Sequence, residues 1–251
     1  MLTDSQKQRY LRNTILPEIG EAGQEKLLRA RVLVVGAGGL GSPVLFYLAA
    51  AGVGNIGVID DDVVELSNLQ RQVIHNEKNL GQKKVESARE KISELNPDVK
   101  LEIFPLRANR ESLRKICIDY DFILDATDNF LTRFIINEIA HEQKKPLIFA
   151  AVKGFAGQVS VFKSFEKTSP CYACFNHNIV DENFSLPLSE KGILGSVAGT
   201  IGALQATTTI REILGVGESL VGKILIFDFL TNNFRKVRLS KNPGCKICDQ
   251  K

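Results

Sequence analysis

Val32-Leu33-Val34-Val35-Gly36-Ala37-Gly38-Gly39-Leu40-Gly41 is a run of four apolar residues that feeds directly into a glycine turn. Such a run suits a strand buried on both faces, and the apolar stretch after Gly41 suits a helix packed on it. Gly36, Gly38, Gly39 and Gly41 let backbone N–H groups come close to a phosphate, and the helix that follows points its positive end at the same place. A second strand over 56–60 ends at Asp60-Asp61-Asp62. Asp60, nineteen residues after Gly41, or Asp62 is placed to hold a ribose hydroxyl, and Asp61 reads as a solvated turn residue.

A dehydrogenase fingerprint would stop there. This chain continues with Ser67-Asn68-Leu69-Gln70-Arg71-Gln72 and Lys83-Lys84, a polar and cationic set suited to a reacting triphosphate. Lys84 opens a helix, where the dipole disfavours a cation, and a nearby polyphosphate relieves that mismatch. Asp125-Ala126-Thr127-Asp128-Asn129 follows a short apolar strand, at the position where open α/β sheets bind ligands. Asp128 is placed to hold Mg²⁺ against phosphate oxygens while capping a helix that starts at Asn129.

Outward from these motifs, the pattern is a doubly wound, Rossmann-like α/β half. Helices are expected over 41–51, 82–95, 110–117 and 129–143, and strands over 99–104, 122–124 and 147–152. After Gly154 the stretch 158–162 alternates with period two and no crossover helix follows, so the sheet continues as a mixed, antiparallel one. A helix over 199–214 and a hairpin of 223–230 with 234–239 complete it. Residues 1–30 read as two short helices outside the sheet, interrupted at Pro17 and Gly20, and 176–195 as a loop. The expected organisation is one domain over 1–251, with an arm (1–30), a nucleotide-binding half (31–155) and a second half (156–251) that carries zinc.

The first residues lack an apolar signal core and no run approaches 18 apolar residues, so neither a secretory signal nor a membrane span is expected. The expected compartment is the cytosol, where thiols stay reduced. Cys171-x-x-Cys174 and Cys245-x-x-Cys248 therefore point to a metal before a disulfide, and four thiolates with no open position make a structural, tetrahedral Zn²⁺ site. Neither pair sits where a strand feeds a helix, as a redox C-x-x-C would. Cys117 reads as a buried small hydrophobe, and His75, His141 and His177 have no ligand or catalytic spacing. A formal net charge of +3 makes no case for nucleic acid, while a mildly basic surface favours an acidic protein partner.

Taken together, Arg9-Tyr10-x-Arg12, Gly36 to Gly41, Ser67 to Gln72, Gly81-Gln82-Lys83-Lys84, Thr127-Asp128-Asn129 and the two cysteine pairs resemble the adenylyltransferases that activate ubiquitin-like sulfur carriers. The resemblance runs from Arg9 to Cys248. It is to the molybdopterin-synthase (MoeB) type and next to the thiazole-biosynthesis (ThiF) type, within the superfamily of ubiquitin-activating enzymes. It implies ATP, Mg²⁺ and Zn²⁺, a homodimer in which Arg12 reaches the partner's site as an arginine finger, and a carrier partner ending in Gly-Gly that binds the zinc-bearing half. Gly39 would lie against the phosphates, Asp60 would bind ribose, Asn68, Arg71 and Lys84 would hold the polyphosphate, and Asp128 would act through Mg²⁺. Relatives of this kind often have a cysteine where Leu188 stands and an acid where Thr208 stands. With no cysteine between Cys174 and Cys245, the molybdopterin-type role is favoured, with sulfur supplied by another protein. A nicotinamide oxidoreductase would leave Arg71, Lys84 and Asp128 idle, and a non-catalytic carrier-binding scaffold would not need the phosphate-site residues.

Overall fold

A computed structural model describes residues 1–176 and 192–249. Three helices, α1 (Asp4–Arg9), α2 (Leu11–Thr14) and α3 (Gly20–Arg29), precede β1 (Arg31–Val35), α4 (Gly41–Ala51), β2 (Asn55–Ile59) and α5 (Lys84–Leu95). Then follow β3 (Lys100–Phe104), α6 (Arg110–Cys117), β4 (Phe122–Asp125), α7 (Phe130–Glu142), β5 (Leu147–Lys153) and β6 (Ala156–Phe162). The short α8 (Tyr172–Phe175), the long α9 (Gly195–Leu214) and the hairpin of β7 (Lys223–Asp228) and β8 (Asn233–Arg238) complete the described α-helices and strands, and two 3-10 turns, Leu66–Asn68 and Glu77–Asn79, lie between β2 and α5.

The strands form one sheet in the order β3-β2-β1-β4-β5-β6-β7-β8. The first five are parallel and the last three join antiparallel. β1 pairs with β2 on one side and β4 on the other, which accounts for its buried Val32 to Val35. The chain leaves β1 and β4 in opposite directions, opening a crevice beyond their C-terminal ends. The change to antiparallel pairing occurs at Gly154 and Phe155. Lys153 pairs with Ala156 across this two-residue turn, and Gly154 has φ +59°, a twist that suits a hairpin.

Helices cover both faces of the parallel part. Leu27, Leu45, Leu48, Val85, Ile92 and Ile201 bring α3, α4, α5 and α9 into one core, and Leu113, Ile136 and Ile139 bring α6 and α7 into the other. Burying a leucine such as Leu45 or Leu48 contributes roughly 1.5–3 kcal/mol.

Three local expectations are corrected. The N-terminal arm has three helices rather than two, because the buried Tyr10 breaks the first run and Gly20 starts a helix instead of ending one. The Tyr10 hydroxyl accepts from Asn96 Nδ2 at 2.9 Å, pinning the arm to the end of α5. α9 begins at Gly195 rather than at 199, since close packing on α4 overrides the weak helix propensity of Gly199. α5 begins at Lys84 rather than at 82, because Val63 bridges Lys83 and Val64 N–H donates to the Gln82 carbonyl at 2.9 Å. His177 and Leu188 lie outside the described residues. Among the described residues no helix is long and apolar enough to cross a membrane.

Candidate active site and zinc centre

A cleft of about 610 Å³ opens at the crevice between β1 and β4. Its floor is the glycine turn, whose four glycines have different jobs. Gly36 has φ +103°, and a Cβ there would lie 2.7 Å from the Ala126 carbonyl oxygen. A Cβ on Gly41 would fall on the Gly36 carbonyl, so these two close the turn. Gly38 and Gly39 are different: a Cβ would meet nothing nearer than 3.6 Å and 3.4 Å, respectively, and neither has a positive φ. The fold therefore tolerates a side chain at either position, although both line the cleft.

His75, given no role from its spacing, braces the turn from behind. Its Nε2 lies 3.1 Å from the Ala37 carbonyl and its Nδ1 2.9 Å from Ser87 Oγ. A carbonyl only accepts, so Nε2 carries the proton and Nδ1 accepts from the serine. Burial, more than the nearby Lys84, pushes the imidazole down to about 4, so the ring is neutral at pH 7.

Asp60 accepts from Ala37 N–H at 2.8 Å and from Asp62 N–H at 2.9 Å. Both oxygens are thus engaged at the wall of the cleft, and burial raises its pKa while Lys84 opposes the shift. Lys84 is buried at the start of α5, and its Nζ lies 2.6 Å from Asp62 Oδ2. The mismatch between this cation and the helix dipole therefore has a protein counter-ion, which the bridge between Val63 and Lys83 brings into reach.

The 67–72 segment divides. Gln70 and Arg71 line the cleft, and Arg71 Nη1 donates to the Ser67 carbonyl at 3.0 Å. Ser67, Asn68 and Leu69 do not line it: Asn68 is buried and its Oδ1 accepts from Glu65 N–H at 3.2 Å. Across the cleft, Asn129 rather than Asp128 caps α7, accepting from Thr132 N–H at 2.9 Å. Asp128 is exposed at the cleft, and no hydrogen bond or ion pair occupies its carboxylate among the described residues. Arg12 is exposed on α2 and is not part of the cleft of its own chain.

Gln72, the last residue of the 67–72 motif, also lines the cleft, and sequence reasoning missed Arg107, Arg133 and Lys153, which line it too. For Arg133 a signal existed: it and Asn137 stand four residues apart on the helix face that carries Ile136 and Ala140, where a surface arginine would not lie.

The four knuckle cysteines meet in a buried cluster. Sγ separations are 3.8 Å for Cys171–Cys174, 3.6 Å for Cys171–Cys245 and 3.4 Å for Cys174–Cys248. A disulfide needs about 2.05 Å. A tetrahedron of sulfurs around Zn²⁺ at about 2.3 Å has edges near ~3.8 Å, so the donor set fits this ion. Burial pushes the Cys171 thiol up to about 12, the reverse of what a bound cation does to a thiol. Asn137 is buried beside Cys171 and its side-chain amide faces that thiol, a donor suited to a metal-held thiolate. Cys117 is buried in the second core and shifted upward to about 12 by burial, as expected of an inert thiol. Thr208 is buried in α9.

A model of the ThiF family matches residues 10–247. The sulfur carrier protein adenylyltransferase of Thermus thermophilus is 41% identical over 249 residues, covering 98% of this chain and 92% of its own. The SAMP-activating enzyme E1 of Haloferax volcanii is 39% identical, with 99% and 91% covered. Among solved structures, E. coli MccB with AMPCPP and MccA superposes with a TM-score of 0.83 at 27% identity, over 96% of this chain and 74% of that one.

Proposed function

The chain belongs to the ThiF family, and from that premise we propose that it adenylates the C-terminal glycine carboxylate of a ubiquitin-like sulfur-carrier protein ending in Gly-Gly, using ATP and Mg²⁺. Adenylyltransferase is the class of its named relatives, and a sulfur carrier is the substrate that the Thermus relative's name states. The observation that carries the reading is the division of the glycines: Gly38 and Gly39 leave the cleft floor bare where the fold itself has no need of it. Arg71 and Lys84 stand on one side of that floor and the uncommitted carboxylate of Asp128 on the other.

In this reading the phosphates lie on the backbone of Gly38 and Gly39 and draw Lys84 away from Asp62. Asp60 takes the ribose, and Asp128 would hold Mg²⁺, which would supply charge neutralisation at the phosphates. The carrier carboxylate attacks the α-phosphorus, the bond to the β-phosphate oxygen breaks, and pyrophosphate leaves with that electron pair. A carboxylate is already a nucleophile, so no general base is needed. The barrier is the approach of two anions, and Arg71 and Lys84 lower it by neutralising charge. Arg12, remote from its own cleft, acts in the partner of a homodimer, where an arginine finger is worth up to ~10³–10⁵ in rate. The four cysteines hold a structural Zn²⁺. The carrier docks on the antiparallel half, where Phe155, Leu230 and Phe234 expose apolar surface beside the basic Arg235 and Lys236. The absence of a cysteine between Cys174 and Cys245 favours the molybdopterin carrier over the thiazole carrier.

The test is ATP–pyrophosphate exchange with Mg²⁺ and each carrier, with and without its last two residues. Exchange that requires the intact tail is expected; exchange independent of the tail, or none with any carrier, would overturn the reading.

A further inference from the structure

Arg133 is buried, with 6% of its surface exposed, although it lines the cleft. Its Nη2 donates to the Thr127 carbonyl at 2.7 Å, and its Nε stands 4.0 Å from Asp125 Oδ2 without making a hydrogen bond. Its guanidinium carbon lies 5.5 Å from the Phe149 ring centre and 5.7 Å from that of Phe130. Asp125, itself 1% exposed, accepts from Thr127 N–H at 3.0 Å and from Thr127 Oγ1 at 2.7 Å. Two polar partners of the guanidinium, the Thr127 carbonyl and the Asp125 carboxylate, thus belong to the single turn that delivers Asp128 to the cleft, and the Tyr172 hydroxyl faces it from the first cysteine knuckle. One helical turn further on, Asn137 Oδ1 accepts from Tyr172 N–H at 2.9 Å, tying the same face of α7 to the first cysteine knuckle.

We propose that Arg133 is a positioning residue for the reaction: it fixes the 125–128 turn from behind and thereby sets the direction in which Asp128 presents its carboxylate. This rests on the adenylation reading for the role of Asp128. A buried guanidinium is costly unless paired, and a purely structural pair is served as well by neutral groups of similar size. A positioning role is not, because the donor to the Thr127 carbonyl is then missing. Arg133 touches neither the reacting atoms nor the metal in this scheme. It acts through Thr127 and Asp125, much as outer hydrogen bonds orient the ligands of a metal site.

The experiment compares the parent, Arg133→Lys, Arg133→Met and the double variant Arg133→Met/Asp125→Asn. Each is assayed for thermal unfolding, for Mn²⁺·ATP binding by direct titration, and for the Mg²⁺ dependence of pyrophosphate exchange. Arg133→Met loses stability and binds Mn²⁺·ATP about tenfold more weakly, the low end for loss of a ligand-orienting partner. Arg133→Lys lies between it and the parent. The double variant regains the melting temperature, since no buried charge is left unpaired, yet keeps the tenfold loss and needs correspondingly more Mg²⁺ for half-maximal exchange. Parental metal–nucleotide affinity in the double variant, or in Arg133→Lys together with Arg133→Met, would overturn the proposal. A parent that binds Mn²⁺·ATP without exchange would refute adenylation, while the affinity loss in the variants would still support the role of Arg133.

Discussion

Adding one methyl group to the glycine turn separates the glycines that build the fold from those that serve the ligand. In Gly41→Ala the new Cβ falls on the backbone carbonyl of Gly36, which cannot swing aside, so the turn must open. Such backbone overlap belongs with the rare substitutions that cost ~4 kcal/mol or more. In Gly39→Ala the Cβ finds Ala198 Cβ at 3.4 Å and Arg71 Cγ at 3.5 Å, ordinary contacts, so stability stays within about 0.5 kcal/mol of the parent. On the adenylation reading the methyl, set beside the Arg71 side chain, hinders the approach of a phosphate to this backbone. Losing one backbone N–H bond to a charged oxygen costs roughly 1.5–3 kcal/mol. That is about a 10- to 150-fold rise in the dissociation constant for ATP. Urea unfolding supplies the stability arm and calorimetric titration with ATP the binding arm. The reasoning fails if Gly39→Ala binds ATP as the parent does, or if Gly41→Ala is as stable as the parent.

Three further outcomes are expected. Mixing Arg12→Ala with Asp128→Ala subunits should restore about a quarter of parental exchange, because half the dimers are mixed and each holds one complete site; no recovery after demonstrated subunit exchange would sink the trans-acting arginine. Cys248→Ser should lose zinc and melt about 8–16 °C lower, since an ion joining knuckles 74 residues apart removes ~4 kcal/mol of loop-closure entropy from the unfolded chain. An equal effect of chelator on parent and variant would contradict it. For His75, the folded pKa near 4 lies below the unfolded value near 6.5, so the unfolded chain binds the extra proton and stability is lost as pH falls through this window. The parent should lose about 2 kcal/mol more than His75→Gln between pH 6.5 and 5, read as the difference between their unfolding free energies, and parallel pH profiles would refute it.

The parallel half was legible because buried strands such as 32–35 are continuous apolar runs, and the antiparallel half because 158–162 alternates. What the sequence hid depends on contacts between distant segments. The ion pair of Lys84 with Asp62 exists because Val63 bridges Lys83, a pairing that no periodicity announces. Asn68 is a motif residue by spacing, yet its side chain turns back to cap Glu65. His75 stayed unread because a lone titratable side chain reads as surface until its burial is known, whereas the apolar helix face around Arg133 was a signal passed over. The arm was misread because Tyr10 breaks the helix for a partner, Asn96, that lies far along the chain.

The spacing of the cysteine knuckles also sets an order of events during synthesis. At roughly 5–20 residues per second, the 74 residues from Cys171 to Cys245 take about 4–15 s to appear. For that interval the first knuckle offers two thiols, half of a tetrahedral site, while α9, β7 and β8 are still being made. An ion is held firmly only once the second knuckle arrives, so metal capture marks the completion of the antiparallel half. Cells starved of zinc during translation would accumulate chains whose nucleotide half is formed and whose last strands are unfastened.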